Sequence, residues 1–332
     1  MTPPRDDRYR EARCLVTGGA GFIGSNLAIA LVESGARVTV VDALLPDLGG
    51  NRFNLAPVRE QVDFHELDLR ASDALASRVR GQDYIFNLAG QISHIDSMTR
   101  PLDDLAINCD SHLSLLEVCR RENPAARIVY AGTRQQYGRP RYLPVDEAHP
   151  LVPTDINGIN KMAAETYHLL YHRIHGLRTT SLRLTNTFGP RQLIRHARQG
   201  FLAVFIRRAL EGQPLKLFGD GSQLRDLNFV DDVVRAFLIA GAQASAIGEA
   251  YNLGSREVLS LRQIAETMLR IGGRGRVEVV PFPEDRKRID IGSCYCSFEK
   301  FHAATGWEPR VPVADALEKT IDYYRRHADH YL

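Results

Sequence analysis

Residues 16–24 read Val-Thr-Gly-Gly-Ala-Gly-Phe-Ile-Gly, and no other segment narrows the possible folds as much. A short apolar run (Cys14, Leu15, Val16) precedes it. A helical pattern (Leu27, Ile29, Ala30, Leu31) follows and stops at Gly35. Strand, glycine turn and helix in that order are the start of a dinucleotide-binding βαβ unit. Glycines permit the tight turn and let the backbone approach a pyrophosphate, whose charge then rests on a helix N-terminus. Gly18, Gly21 and Gly24, with Phe22 and Ile23 between them, are therefore the candidate phosphate cradle. A second strand (37–41) leads to Asp42, near the distance at which an acid accepts from an adenosine ribose hydroxyl. A carboxylate there repels a 2′-phosphate, and only Arg52 follows closely enough to counter it, so the expected cofactor is NAD rather than NADP.

A chain of 332 residues can bury one large or two modest cores. A net charge of +2 with scattered basic residues marks neither a nucleic-acid footprint nor a membrane patch. No apolar run reaches spanning length, and the polar start lacks the apolar core of a signal peptide. The five cysteines (14, 109, 119, 294 and 296) are odd in number and form no zinc spacing. Reduced thiols, a cytoplasmic location and no bound metal are the expectations.

Strands are expected at 13–17, 37–42, 62–67, 83–88 and 127–132, with helices near 22–34, 72–79, 100–122 and 157–175. Such alternation implies parallel pairing and right-handed crossovers, an α/β doubly wound sheet of the Rossmann kind. A sixth strand starts at Thr179. Beyond it come longer loops, helices near 199–211, 231–243, 261–271 and 313–327, and short strands. The expected division is a tail (1–12), a cofactor-binding domain (13–183) and a smaller α/β substrate domain (184–332), with 226–253 a candidate to return to the first.

Together these features resemble the extended short-chain dehydrogenase/reductases, in particular their sugar-nucleotide epimerase/dehydratase group. The likeness runs from about Arg13 to about Tyr324. Its signs are Thr17 to Gly24, Asn87-Leu-Ala-Gly90, Asn108 and Tyr137-Gly138. Further on come Asn186-Thr-Phe-Gly-Pro-Arg191, Phe218 to Asp226, Phe229-Val-Asp-Asp232 and Gly306-Trp-Glu-Pro309. The resemblance implies that Asp68 and Leu69 bracket the adenine, that Leu88, Ala89 and Gln91 line the cofactor trough, and that Asn108 braces the central strands. It implies that Asn186 and Arg191 reach a sugar diphosphate and that Arg225 pairs with a phosphate; an ion pair of Arg225 with Asp226 or Asp231 is the plainer alternative. A further family arginine, three residues before an aspartate, falls on Lys287 before Asp290, flanked by Arg286 and Arg288. Relatives also pair the helices at 100–122 and 157–175 in a homodimer. His168, His172 and His175, at near-helical spacing, read as a solvated or subunit-facing side rather than a metal site.

Members of this group carry Tyr-x-x-x-Lys on the long helix and a Ser or Thr at the preceding strand end. Here the hydroxyl is Thr133 and the lysine Lys161, which would also hold the nicotinamide ribose, but the tyrosine slot holds Asn157. An amide can bond a sugar hydroxyl and cannot take its proton. Three readings stay open. Another group is the base (Lys161, Tyr137, Asp155 or His94); or a water held by Asn157 and Thr133 relays the proton; or the chain binds a nucleotide sugar without redox turnover. The 4,6-dehydratases place Asp-Glu after the Thr, where this chain has Arg134-Gln135, so β-elimination loses its acid and base. Gln135 becomes a pocket hydrogen-bonder. The expected activity is thus NAD-dependent epimerisation of a nucleotide-diphosphate sugar through a keto intermediate, C4 favoured; a dehydratase, a reductase or a nucleotide-sugar binding protein is the alternative.

Overall fold

A computed structural model describes residues 5–196, 200–272, 275–284 and 290–332. The first half runs β1 (Arg13–Thr17), α1 (Phe22–Glu33), β2 (Arg37–Asp42), β3 (Val62–Glu66), α2 (Ser72–Val79) and β4 (Tyr84–Asn87). It continues through α3 (His94–Thr99), α4 (Pro101–Leu105), α5 (Ser111–Glu122), β5 (Arg127–Thr133), α6 (Ile156–His175) and β6 (Arg178–Leu184). The second half holds β7 (Asn186–Phe188), α7 (Phe201–Glu211), β8 (Leu215–Phe218), β9 (Leu224–Phe229), α8 (Val230–Ala242) and β10 (Ala250–Leu253). It ends with β11 (Val258–Ser260), α9 (Leu261–Gly272), β12 (Val277–Val280), α10 (Glu299–Thr305) and α11 (Val313–His327).

Seven strands form one parallel sheet in the order β10-β6-β5-β4-β1-β2-β3. Period-2 alternation divides its side chains between two cores. Cys14 and Val16 face α1 and α8, whereas Leu15 and Ile128 face Leu75, Leu115 and Leu116 on α2 and α5. Both faces are covered, as parallel sheets require. The strand order reverses between β1 and β4, and ligands bind beyond the carboxyl ends of the strands at such a switch point. The second half builds smaller sheets, β11-β9-β7 and β12-β8, yet sends β10 back to pair with β6 and α8 back against α1.

The helix expected at 100–122 is interrupted. Pro101–Leu105 and Ser111–Glu122 are joined by one wide turn, Ala106–Asp110, that carries the buried Asn108. The short α3 was not expected, since six residues hold too little periodicity to read; Ser93 caps it by accepting from the Asp96 amide. The five cysteines are free thiols. Among the described residues no helix is long and apolar enough to cross a membrane.

Candidate active site

A cavity of about 580 Å³ opens at the carboxyl ends of β1, β4 and β5. The glycine turn forms one wall. Gly18 has φ +66°, and a Cβ there would lie 2.8 Å from the Ala89 backbone; one on Gly24 would lie 2.2 Å from the Gly18 carbonyl oxygen. Only glycine fits either position, which leaves backbone amides at the start of α1 open to a diphosphate. Gly21, Phe22, Ile23, Asp68, Leu69, Leu88 and Ala89 line the same space. Asp42 lines it too, its carboxylate accepting from the Ala20 and Leu44 amides; burial raises its pKa above the usual carboxylate range against those hydrogen bonds. Arg52, the cation that could counter Asp42, instead pairs with Glu66 at 2.8 Å and covers the Phe64 ring. The cradle and the acid fit a dinucleotide with a free 2′-hydroxyl.

Gln91, expected in the trough, and Asn108, expected to brace the central strands, are both set behind the cavity wall. Gln91 is buried, its Nε2 donating to Asp104 at 2.9 Å. Asn108 grips the Gln91 backbone from both sides, accepting from its amide and donating to its carbonyl. It braces the loop that leaves β4, not the strands themselves. The centre of this packing is Asp104, which sequence reasoning missed. Its Oδ2 accepts from Gln91, Asn108 and Asn157, and its Oδ1 from Asn160. Polar residues four apart (Asp104, Asn108) and three apart (Asn157, Asn160) on helices were the available signal.

Thr133, Asn157 and Lys161 all reach the cavity. Asn157 is 2 % exposed, and both its amide hydrogens are used, toward the Gln91 carbonyl at 2.8 Å and Asp104 at 3.1 Å. Both partners only accept, so the orientation of the amide is fixed and its oxygen alone is left for a ligand. Lys161 donates to the Ala131 carbonyl and lies over the Tyr130 ring; burial lowers it to about 8, against the pull of Asp104. Thr133 accepts from the Gln135 amide.

Beside Thr133 sits a second cluster. Asp155, the N-cap of α6, accepts from the Gly158 amide and holds His94 Nδ1 at 2.5 Å. Burial works against its charge, but the imidazole and the amide keep it below the usual carboxylate range. His94 Nε2 lies 2.6 Å from Gln135 Nε2, and Gln135 Oε1 is buried with no hydrogen-bond partner. His94, Gln135 and Asp155 all line the cavity. Tyr137 is fully buried elsewhere, donating to Asn252 and accepting from Arg183.

At the far end, Asn186, Arg225 and Asp290 line the cavity with Arg134. Arg225 donates to the Leu224 and Gly292 carbonyls rather than to Asp226 or Asp231; burial and Arg134 lower it to about 10. Asn186 donates to the Asp226 carbonyl and accepts from Arg134. Arg191 is placed differently from the expectation. Its backbone has φ +76°, which turns the guanidinium away to donate to Asn54 O and Asn26 Oδ1 and to cover Tyr323. Lys287 lies outside the described residues. The histidine row on α6 is not a solvated face at its start: His168 is fully buried, stacked on Tyr130 and bonded to the Ala164 carbonyl.

A glycine-turn dinucleotide cradle that shares one cavity with a Thr and a Lys defines a nicotinamide-dependent enzyme of the Rossmann type. Residues 14–254 match the NAD dependent epimerase/dehydratase family, and the chain belongs to it. It is 31 % identical to a putative UDP-glucose 4-epimerase of Methanocaldococcus jannaschii, over 94 % of this chain and 98 % of that one. It is similar in structure to an epimerase of Methanothermobacter thermautotrophicus (TM-score 0.90, 28 % identity, 97 % and 95 % of the two chains covered). A dTDP-glucose 4,6-dehydratase of Streptomyces venezuelae, solved with NAD bound, also matches (TM-score 0.86, 29 % identity, 96 % and 98 % covered).

Proposed function

We propose that the protein epimerises a nucleotide-diphosphate sugar by oxidising a ring carbinol, C4 the favoured centre, and reducing the ketone from its other face. The observation that carries this is Thr133 and Lys161 in one cavity with the glycine cradle, followed after Thr133 by Arg134 and Gln135 rather than by two carboxylates. Bound NAD supplies the hydride acceptor and donor. Gly18, Gly21 and Gly24 would hold its diphosphate and Asp42 its adenosine ribose. Lys161 would donate to the nicotinamide ribose, and its charge favours electron flow toward the cofactor. Thr133 orients the sugar hydroxyl, Asn157 accepts from the sugar through its oxygen, and Arg225 with Asn186 faces the sugar diphosphate. Relatives named for UDP-glucose 4-epimerase activity support the substrate class.

Incubation with UDP-glucose, GDP-mannose, CDP-glucose and dTDP-glucose, followed by NMR of the anomeric proton, tests the reading. The expected result with one of them is a second anomeric signal, with no loss of water in the product mass and no net NADH. Conversion of none of the four defeats it. A homodimer is part of the same proposal: Met98, Leu102 and Leu105 on α3 and α4 expose apolar surface, Leu102 at 76 %, beside the helices that relatives pair. Light scattering at micromolar concentration checks it.

A further inference from the structure

Asn157 leaves the proposed oxidation without a proton acceptor in the usual place, and the cavity wall supplies one. His94 Nδ1 stands 2.5 Å from Asp155 Oδ2, a partner that only accepts, so Nδ1 carries the hydrogen and Nε2 presents a lone pair. Gln135 donates to that lone pair at 2.6 Å. The backbone N–H of the same glutamine donates to Thr133 Oγ1, so Gln135 bridges imidazole and hydroxyl, and both line the cavity at the end of β5. Asp155 is anchored in turn as the N-cap of α6, the helix that carries Asn157 and Lys161.

The other candidates are engaged elsewhere. Tyr137 is buried between Asn252 and Arg183. Asn157 has both hydrogens on Gln91 and Asp104 and has no basic lone pair. Lys161 is 6 % exposed, donates to Ala131 O and lies over the Tyr130 ring; burial lowers it only to about 8, so near neutral pH it is mostly an ammonium, a donor rather than an acceptor. The Asp155 carboxylate is spent on His94 and the Gly158 amide. The His94 side chain, by contrast, is 42 % exposed and lines the cavity.

We propose that His94, oriented by Asp155, takes the proton of the substrate hydroxyl and returns it. This rests on the epimerase reading above. The substrate O–H displaces the Gln135 amide from Nε2. As hydride leaves the carbinol carbon, the O–H bond breaks, its electron pair becomes the second C–O bond, and Nε2 holds the proton as an imidazolium beside the Asp155 carboxylate. On reduction from the other face the keto oxygen recovers that proton, and His94 ends neutral as it began. Gln135 serves both states: its amide donates to the bare Nε2, and its unpartnered Oε1 accepts from Nε2–H once the amide turns. Asp155 is a positioning residue, in the role that a carboxylate plays for a catalytic imidazole elsewhere.

The test uses the full chain with the four nucleotide sugars named above. His94→Gln should lower kcat about 100-fold or more, the scale of one positioned acid–base group, with KM changed less than about threefold and NAD binding by calorimetry unaltered. Asp155→Asn keeps a residue able to cap α6, so the fold is retained. It should cost at least about tenfold in kcat and move the His94 hydrogen from Nδ1 to Nε2, read by 15N NMR of the imidazole in the ligand-free protein. If the wild type converts a sugar while His94→Gln keeps kcat within about threefold, this inference falls and the epimerase reading stands. An Nε2–H imidazole in the wild-type spectrum also overturns it. A wild type that converts none of the four sinks the epimerase reading and this inference together.

Discussion

The two ends of the cavity are held by different means. At the cofactor end, position comes from backbone: a left-handed Gly18, a Gly24 with no room for a methyl, and Asp42 clasped by the Ala20 amide of the glycine turn and the Leu44 amide of its own. These parts lie within 25 residues of one another. Around Thr133 and Asn157, position comes from side chains gathered from distant elements. Asp104 joins Gln91, Asn108, Asn157 and Asn160, and His94 meets Asp155 across 61 positions. Backbone devices are all-or-none, because an added atom has nowhere to go. Side-chain networks can be rewired while every buried group keeps a partner. That difference lets a chain keep a glycine cradle while the side chains around residue 157 change.

The contrast can be broken at several points. The largest effect belongs to Gly24→Ala, whose methyl would fall 2.2 Å from the Gly18 carbonyl oxygen. NAD binding should vanish from calorimetry; a micromolar affinity retained would show that the turn is more pliant than its backbone indicates. Next, Asp104→Asn sets an amide against four donors and should cost about 3 kcal/mol in a urea melt, since buried groups lose their partners. A loss below about 0.5 kcal/mol would remove Asp104 from the centre of the network.

Lys161→Met sharpens the comparison in the opposite sense for stability. Burial disfavours the ammonium, so the folded value of about 8 lies below the usual 10.5. Between the two, the unfolded chain binds a proton that the folded chain lacks, and stability from this group rises as pH climbs through that window. Below 8 the full cost of the buried charge is present. The variant free of cofactor should therefore melt a few degrees above wild type at pH 7, with the gap closing toward pH 10.5, while turnover is lost; scanning calorimetry at three pH values checks this. Smallest is Arg191→Ala. With its guanidinium on Asn26 and Asn54, it should lose about 1–2 kcal/mol of stability and leave the sugar-nucleotide KM within about twofold. A tenfold rise in KM would return Arg191 to the diphosphate.

The cofactor end was readable in the sequence because its contacts are local. Gly18, Gly21, Gly24 and Asp42 sit where the strand–turn–helix pattern put them, and the unbroken apolar run Cys14, Leu15 and Val16 already encoded a sheet covered on both faces. The rest of the cavity was readable only in part. Thr133, Lys161, Gln135, Asn186, Arg225 and Asp290 reach the cavity, but Gln91 and Arg191 have the right chain positions and the wrong side-chain directions. Residue order carries no χ angle, and the positive φ of Arg191 leaves no mark on its neighbours in sequence. Asp104 stayed hidden because its four partners come from three separated stretches. Asn157 could be seen to lack a proton affinity, but not to be the hydrogen-bond donor that a buried carboxylate requires.

The return of Ala250–Leu253 to the flank of Arg178–Leu184 bears on how the chain is made. During synthesis the outermost rung of the nucleotide-binding layer leaves the ribosome well after its six companions, the last of which ends at Leu184. Until then Arg178–Leu184 carries bare amides and carbonyls along one side, the kind of border that recruits stray polypeptide. Truncation at residue 184 would make that interval permanent, so the first half should precipitate or require a chaperone when expressed by itself.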